Sequence, residues 1–403
     1  MIKKLYILLF FIAVSFIAQA QKPALKPLHS NATLIEYHKN KAKQKHATQL
    51  NSKIQSTPTT TLTLPFYDEF SYAGPFPDTT KWPTIQSQSV FVNHTKAMAP
   101  PTLGVATFDG LDRFGYPYSP SIISTTANNL QPASSDTLYS APIRLDSIPA
   151  LQIGLSPADS VYLSFYYQGR GFWEKPEQGD YFSLDLYSPK DTTWNQIWSV
   201  GGYLYDPDSS WHLVMIPILD TSYFHNGFQL RFSNLSGACG DVDHWHLDEV
   251  YLNHNRTFND TMYSSIIGPG SVFSDVSFVY DLQSPLKNYS QIPYNQYAGA
   301  SDMKTNIGTF LRCDFSTDIS VKSHYSFYNS SGAQIATSVN GSNNLYPYKD
   351  SGYCKDPAII YPSLNNFVYP VPGGDSSFTM KFYVESADGN LQNDTITFHQ
   401  KFS

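Results

Sequence analysis

The chain has 403 residues, a formal net charge of −7, and aromatic and charged residues at 15% each. The length asks for two domains rather than one, and the acidic balance excludes nucleic acid as the main partner. So many Tyr and Phe beside so few charges suit strands with one buried face, not a helical bundle.

Residues 1–20 read as a secretory signal peptide. Lys3 and Lys4 form the basic start, residues 5–17 are apolar apart from Ser15, and Ala18-Gln19-Ala20 is a small-x-small cleavage site. The mature chain is expected to start at Gln21 and to be secreted or held at the outer cell surface. No Cys follows the cut, so no lipid anchor is expected there. No later stretch is apolar enough to span a bilayer.

Residues 21–60 read as a basic leader and linker. Thr33 and Glu36 have capping-box spacing, which predicts a short helix through Tyr37 and the run Lys39, Lys41, Lys43 and Lys45. Its apolar stripe is thin, so it is expected to be a solvated leader and marginal alone. Ser56 to Thr63 reads as an extended linker around Pro58.

From residue 61 to 254 the pattern is strand and turn. Leu62, Leu64 and Phe66 alternate. Short strands follow at residues 90–93, 104–108, 140–145, 161–167, 182–186, 194–200, 213–218 and 228–232. Roughly nine or ten strands with turn signals between them predict a sandwich. Residues 255–266 read as a polar connector. Residues 267–403 then supply six or seven further strands, as in a smaller Ig-like sandwich. The expected fold class is therefore all-β.

The last strand of the first block carries the richest signal. In Gly240–Leu252 the apolar positions are Trp245 and Leu247, then Val250 and Leu252. A period-2 strand changes parity this way only with one extra residue. A bulge at Asp248–Glu249 is expected, turning a carboxylate out of the pleat. His244 and His246 share the face opposite Trp245, either lining a ligand groove or hydrogen-bonding to neighbours. Zinc would need further converging ligands. The loop Gly169-Arg170-Gly171-Phe172-Trp173 sets aromatics beside an Arg, a combination suited to stacking on a sugar ring. The alternative is that Phe172 and Trp173 close the end of the core. Of three Cys, Cys313 and Cys354 fall in one predicted domain and are the better disulfide pair. Closing that loop adds about 4 kcal/mol on the chain-entropy view, and three unpaired thiols are the alternative.

Four motifs come in order: Tyr67-Asp68-Glu69-Phe70 with Trp82 behind it, Thr107-Phe108-Asp109-Gly110, the strand at 161–167 before its Gly-rich loop, and Trp245-His246-Leu247-Asp248-Glu249-Val250. In this order they resemble the MAM-like jelly rolls of bacterial surface proteins, the choice-of-anchor J or cleaved-adhesin group, over about residues 62–254. The whole chain is similar to secreted Bacteroidetes proteins, members of which often end in a sorting domain for type IX secretion. That domain is not read here, so a truncated member or another route is expected. The resemblance implies a structural Ca²⁺ held by Glu69 (or Asp68) and Asp248, with oxygens from Asp241 and Asp243.

No Gly-x-Ser-x-Gly elbow and no laminarinase-like run of carboxylates is present. The first expectation is a non-enzymatic binding or adhesion protein that recognises a surface glycan or protein through Arg170, Trp173, His244 and His246. The alternatives are a structural module of an outer-surface assembly and a glycan-acting hydrolase.

Overall fold

The computed structural model describes residues 30–47, 60–118, 133–205, 210–258, 275–313, 315, 317–339, 342–347, 349–350, 353–354, 358–360, 376–386 and 393–402. The signal peptide and most of the linker lie outside these residues. The protein is mostly β-strand, arranged in several sheets, with one α-helix among the described residues.

The first block holds eleven strands of its two main sheets: β1 (Phe66–Asp68), β2 (Phe91–Asn93), β3 (Val105–Phe108), β4 (Ala133–Tyr139), β5 (Ile143–Arg144), β6 (Tyr162–Gly169), β7 (Tyr181–Ser188), β8 (Thr193–Gly201), β9 (His212–Pro217), β10 (Asn226–Ser236) and β11 (Trp245–Asn253). One sheet runs β9-β6-β11-β3-β2, with β1 also on β11, and the other runs β8-β7-β10-β4, with β5 also on β10. All these pairs are antiparallel, and Phe66 opposite Leu252 sets the opening strand beside the closing one. Inward residues of both sheets, among them Phe108, Phe165, Phe182, Phe232 and Trp245, form one apolar cluster. This is a sandwich of jelly-roll-like architecture.

The closing strand carries its extra residue where the parity change places it. Its register against β6 shifts between Asp248 and Tyr251, and Glu249 sits at φ 47°. All nine residues of β11 are buried. A strand at the surface of a two-sheet sandwich would expose alternate side chains; this one is covered on its outer side by first-block segments at His246 and Asp248 and by Arg312 of the second block at Glu249.

That block contains β12 (Val276–Phe278), β13 (Thr309–Cys313), β14 (Ile319–Asn329), β15 (Gln334–Val339), β16 (Asn343–Leu345), β17 (Ala358–Ile360), β18 (Ser377–Glu385) and β19 (Thr395–Lys401). Its sheets run β12-β13-β17 and β15-β14-β18-β19, with β16 on β14. They enclose a separate apolar cluster that also takes Leu103 from the first block. Polar contacts continue the junction. Arg312 reaches Glu249 at 2.8 Å with both side chains buried, Asn393 donates to Glu69 at 2.8 Å, and the Ala99 amide donates to the Tyr280 hydroxyl at 2.8 Å. The Cys313 side chain is buried on β13, whereas that of Cys354 lies outside the described residues.

The leader differs from expectation. Helix α1 (Ala32–Ala47) is capped by Asn31, whose Oδ1 accepts from the amides of Thr33 at 3.0 Å and Leu34 at 3.2 Å. Asn31 is the better cap because it stands one residue before the helix; Thr33 already lies inside it. Nor is the helix solvated on all sides. Leu34 is buried, Tyr37 meets Phe76 edge-on, and His38 Nε2 lies 3.0 Å from the Arg113 carbonyl.

Removing one member of a buried ion pair strands the other charge. Arg312→Ala is expected to cost about 3–5 kcal/mol, and adding Glu249→Gln to it is expected to restore part of the loss. Urea unfolding of the two variants beside the parent checks both.

Candidate functional site

One end of the first block gathers the loop after β6, the segment between β2 and β3, and the turn before β11. Lys96 stands at the centre. Its ammonium lies 3.1 Å from Asp109, bonds to Asp241, and sits 3.2 Å from His244 Nε2. Burial alone would lower the Lys96 pKa, but Asp109 and Asp241 outweigh it and hold the amine charged. Burial also acts on Asp241, yet the hydrogen bond from His244 and the charge of Lys96 hold its carboxyl below the usual range. Asp109 is pushed up, by burial first and then by the neighbouring Asp136 and Asp241. The Lys96 ammonium thus answers two buried acids, and a buried charge is tolerated only when it is paired in this way.

The two expected histidines belong to this interior. His244 Nε2 lies 2.8 Å from Asp241. His246 Nδ1 faces the Thr107 hydroxyl at 2.9 Å, and Thr107 in turn accepts from Asn93 at 2.7 Å. Parity placed both imidazoles on one face, and they stack at 6.2 Å. The face is not open to a ligand, however, because both side chains are fully buried beneath the Lys96 segment and the loop after β6. Burial, Lys96 for His244 and His244 for His246 lower the pKa of each ring, so both stay neutral.

That loop is clipped down at three points. The Arg170 amide donates to the His244 carbonyl at 2.8 Å, the Phe172 amide to the Lys96 carbonyl at 2.9 Å, and the His244 amide to the Glu174 carbonyl at 3.2 Å. Gly171, at φ 62°, passes so close that a Cβ there would stand 2.3 Å from the Lys96 carbonyl and 2.6 Å from His246 Nε2. Only glycine fits that approach. The clip leaves Phe172 and Trp173 outward, 59% and 39% exposed. Leu204 and Tyr205 come to the same end, 62% and 80% exposed, held there by Lys175 donating to the Leu204 carbonyl at 3.2 Å and the Tyr203 amide to Pro176 at 2.9 Å. Of the expected ligand residues, then, Trp173 faces solvent, Arg170 is half-buried, and the histidines lie beneath them as support.

The calcium set does not assemble as the resemblance implies. Strands β1 and β11 do adjoin, but the carboxylates take protein donors. Asp68 accepts from the Trp82 indole at 2.5 Å and from Lys81 at 3.0 Å. Asp248 accepts from the Thr102 amide at 2.9 Å and from its hydroxyl at 3.0 Å. Glu69 turns to Asn393. An ion between them would have to displace these donors, so the residues do not fit one. Asp241 is committed to Lys96. Two other groupings bring three cation-ligating side chains within 4.8 Å of one another: Asp109, Asp241 and His244, and Glu177, Asp180 and Asp243. Of these, sequence reasoning missed Asp109, Glu177 and Asp180 as ligand-type residues, and it missed Lys96 beside the first grouping. The one available signal was Glu177-Gln178-Gly179-Asp180, two acids across a glycine turn.

A cleft of about 400 Å³ is lined by residues including Ile85, Gln86, Asp112, Arg113, Phe114 and Tyr118. None of its lining belongs to the aromatic loop end.

No family model matches the chain, and no curated protein matches it. Among solved structures, the chain is similar to a Parabacteroides merdae β-glucuronidase (12% identity, TM-score 0.27, 66% of this chain and 27% of that one). It is also similar to a calcium-binding mutant of Bacteroides uniformis β-glucuronidase 2 (9%, 0.26, 69% and 27%). A third is the glycoside hydrolase domain of Endo-D from Streptococcus pneumoniae (10%, 0.26, 77% and 35%). The chain spans about a quarter to a third of these proteins. No described helix is long and apolar enough to cross a membrane.

Lys96→Met removes the cation that two buried acids share, and a loss of about 3–5 kcal/mol in urea unfolding at neutral pH is expected. His246 supplies a pH readout. It stays neutral when folded but takes up a proton below about 6.5 when unfolded, so its contribution is complete above that pH and is lost as pH falls. The stability gap between wild type and His246→Gln is expected to narrow by about 1.4 kcal/mol per pH unit below 6.5. Taking the difference cancels the acids that titrate in the opposite sense.

Proposed function

We propose that this chain is a secreted or cell-surface, non-catalytic binding protein whose aromatic loop end recognises a glycan. The observation that carries this reading is the outward placement of Phe172 and Trp173, on a loop fixed from below, and of Leu204 and Tyr205, on the segment bonded to it. Large apolar side chains are normally buried, and several together on one end mark a contact surface. Flat aromatic faces beside Arg170 and Lys175 suit the apolar face and hydroxyl rim of a sugar ring. Fixing the loop before contact spares the ordering cost of binding.

The ordered motifs support reading the first block as a MAM-like, choice-of-anchor J jelly roll and the second as an Ig-like spacer, with secretion through the signal at residues 1–20. The acid and histidine groups at the loop end support a binding rather than a hydrolytic role, since His244, His246, Asp109 and Asp241 are buried and bonded to Lys96, Thr107 or each other. The disulfide between Cys313 and Cys354 remains part of this proposal, as an oxidising compartment would favour it.

The test is a glycan array with the secreted chain and with Phe172→Ala/Trp173→Ala. Retention on a polysaccharide by the parent, lost at least tenfold in the double variant at unchanged melting temperature, supports the reading. Recovery of a secreted protein partner with no glycan retained supports instead a structural module of a surface assembly. Turnover of a glycan would overturn the non-catalytic assignment.

A further inference from the structure

The two groupings of ligand-type side chains differ in what lies among them. In the first, the Lys96 ammonium already stands between Asp109, Asp241 and His244. It occupies the place a metal would take and supplies the charge a metal would bring. In the second, the charges that weigh most on Asp243 are the carboxylates of Asp180 and Glu177. Here three carboxylate side chains are gathered within 4.8 Å of one another.

The hydrogen bonds leave one oxygen over. Asp180 Oδ2 accepts from the Glu177 amide at 2.7 Å, and Asp243 Oδ2 accepts from the Gly237 amide at 2.6 Å. Asp243 Oδ1 is buried and has no hydrogen-bond partner, in a side chain only 2% exposed. A buried carboxylate oxygen without a donor is costly, and native proteins rarely keep one without a reason. Glu177 is exposed, so the grouping is open to water on one side.

We propose that Glu177, Asp180 and Asp243 form a calcium site that ties the aromatic loop to the turn before the closing strand. The donor set is all oxygen, which suits a hard cation. Calcium accepts carboxylates in one- or two-oxygen modes and irregular geometry, and water can complete its shell on the Glu177 side. Magnesium demands stricter octahedral geometry and gives up water reluctantly. Zinc would look for sulfur or nitrogen, whereas the three side chains gathered here offer only carboxylate oxygen. The ends joined are the segment just after Phe172 and Trp173 and the segment just before His244. A cation there would hold the loop at a further point beyond its backbone clips.

The experiment uses the full secreted chain, stripped with a chelator and desalted. Calcium is titrated by calorimetry, and melting temperature is followed with calcium or magnesium added. Binding of one calcium per chain is expected, with melting raised by several degrees and a smaller shift with magnesium. Asp243→Asn is expected to abolish both the heat and the calcium-dependent shift. Without calcium that variant should melt at or above the parent, because it relieves carboxylate repulsion; a variant that merely misfolds would melt lower. Asp180→Asn should lose binding as well. Absence of heat and of any melting shift for the parent in millimolar calcium overturns the proposal, as does parent-like binding by Asp243→Asn. Neither readout involves a glycan, so failure here leaves the glycan reading standing.

Discussion

The extra residue in the closing strand organises this molecule. Strand β11 is central in its sheet, pairing with β6, β3 and β1. Before the bulge, Trp245 and Leu247 face the core between the sheets. At the bulge, Glu249 takes a left-handed conformation and its carboxylate meets Arg312 on β13. After it, Val250 and Leu252 return to the core. One strand thus fills the interior of one block and anchors the other without breaking its ladder for more than a step. The energetic weight comes from burial. Glu249 and Arg312 are both removed from water, so each is tolerated only because the other is there.

The same strand's N-terminal half supports the aromatic loop. His244 and His246 project on the side away from Trp245 and meet the Lys96 cluster. A buried ammonium with two buried acids adds little net stability compared with apolar packing. Its contribution is to position: Lys96 presents its carbonyl to the Phe172 amide while its side chain gathers segments on either side. Phe172 and Trp173 are therefore exposed for a structural reason. The layer beneath them is filled by the polar side chains of Lys96, His244 and His246, which are buried.

Much of the sheet structure was legible because alternation is a local signal. The strands read at residues 161–167, 182–186 and 228–232 are Tyr162–Gly169, Tyr181–Ser188 and Asn226–Ser236: the first starts a residue later and ends two later, and the other two extend at both ends. The bulge was legible as a change of parity, and β1 beside β11 followed from the order of the motifs. What stayed hidden depends on contacts between distant segments. The histidines share a face, as period 2 requires, but parity says nothing about what covers that face. Thr102, donor to Asp248, comes from a loop, and Arg312, partner of Glu249, from a strand of the second block that was read at residues 310–315 but whose partner across the blocks no local pattern reveals. Likewise β4 and β15 were missed: Ala133-Ser134-Ser135-Asp136 and Thr337-Ser338 are polar enough to read as loop, and only pairing with β10 and β14 makes strands of them.

Acids offered the least reliable guide, for a physical reason. A carboxylate beside a turn can receive backbone amides, an ammonium, a second block of the protein or a metal, and all four uses look alike in sequence. Asp68 and Asp248 receive protein donors, Asp109 and Asp241 share Lys96, and Glu249 reaches Arg312. Asp243 is different because its Oδ1 is buried without a hydrogen-bond partner in a grouping with Asp180 and Glu177. The distinction rests on counting donors against acceptors inside a closed space. By that count the charge at Asp243 requires either a proton or a cation, and a cation also joins the two segments that frame the exposed aromatics.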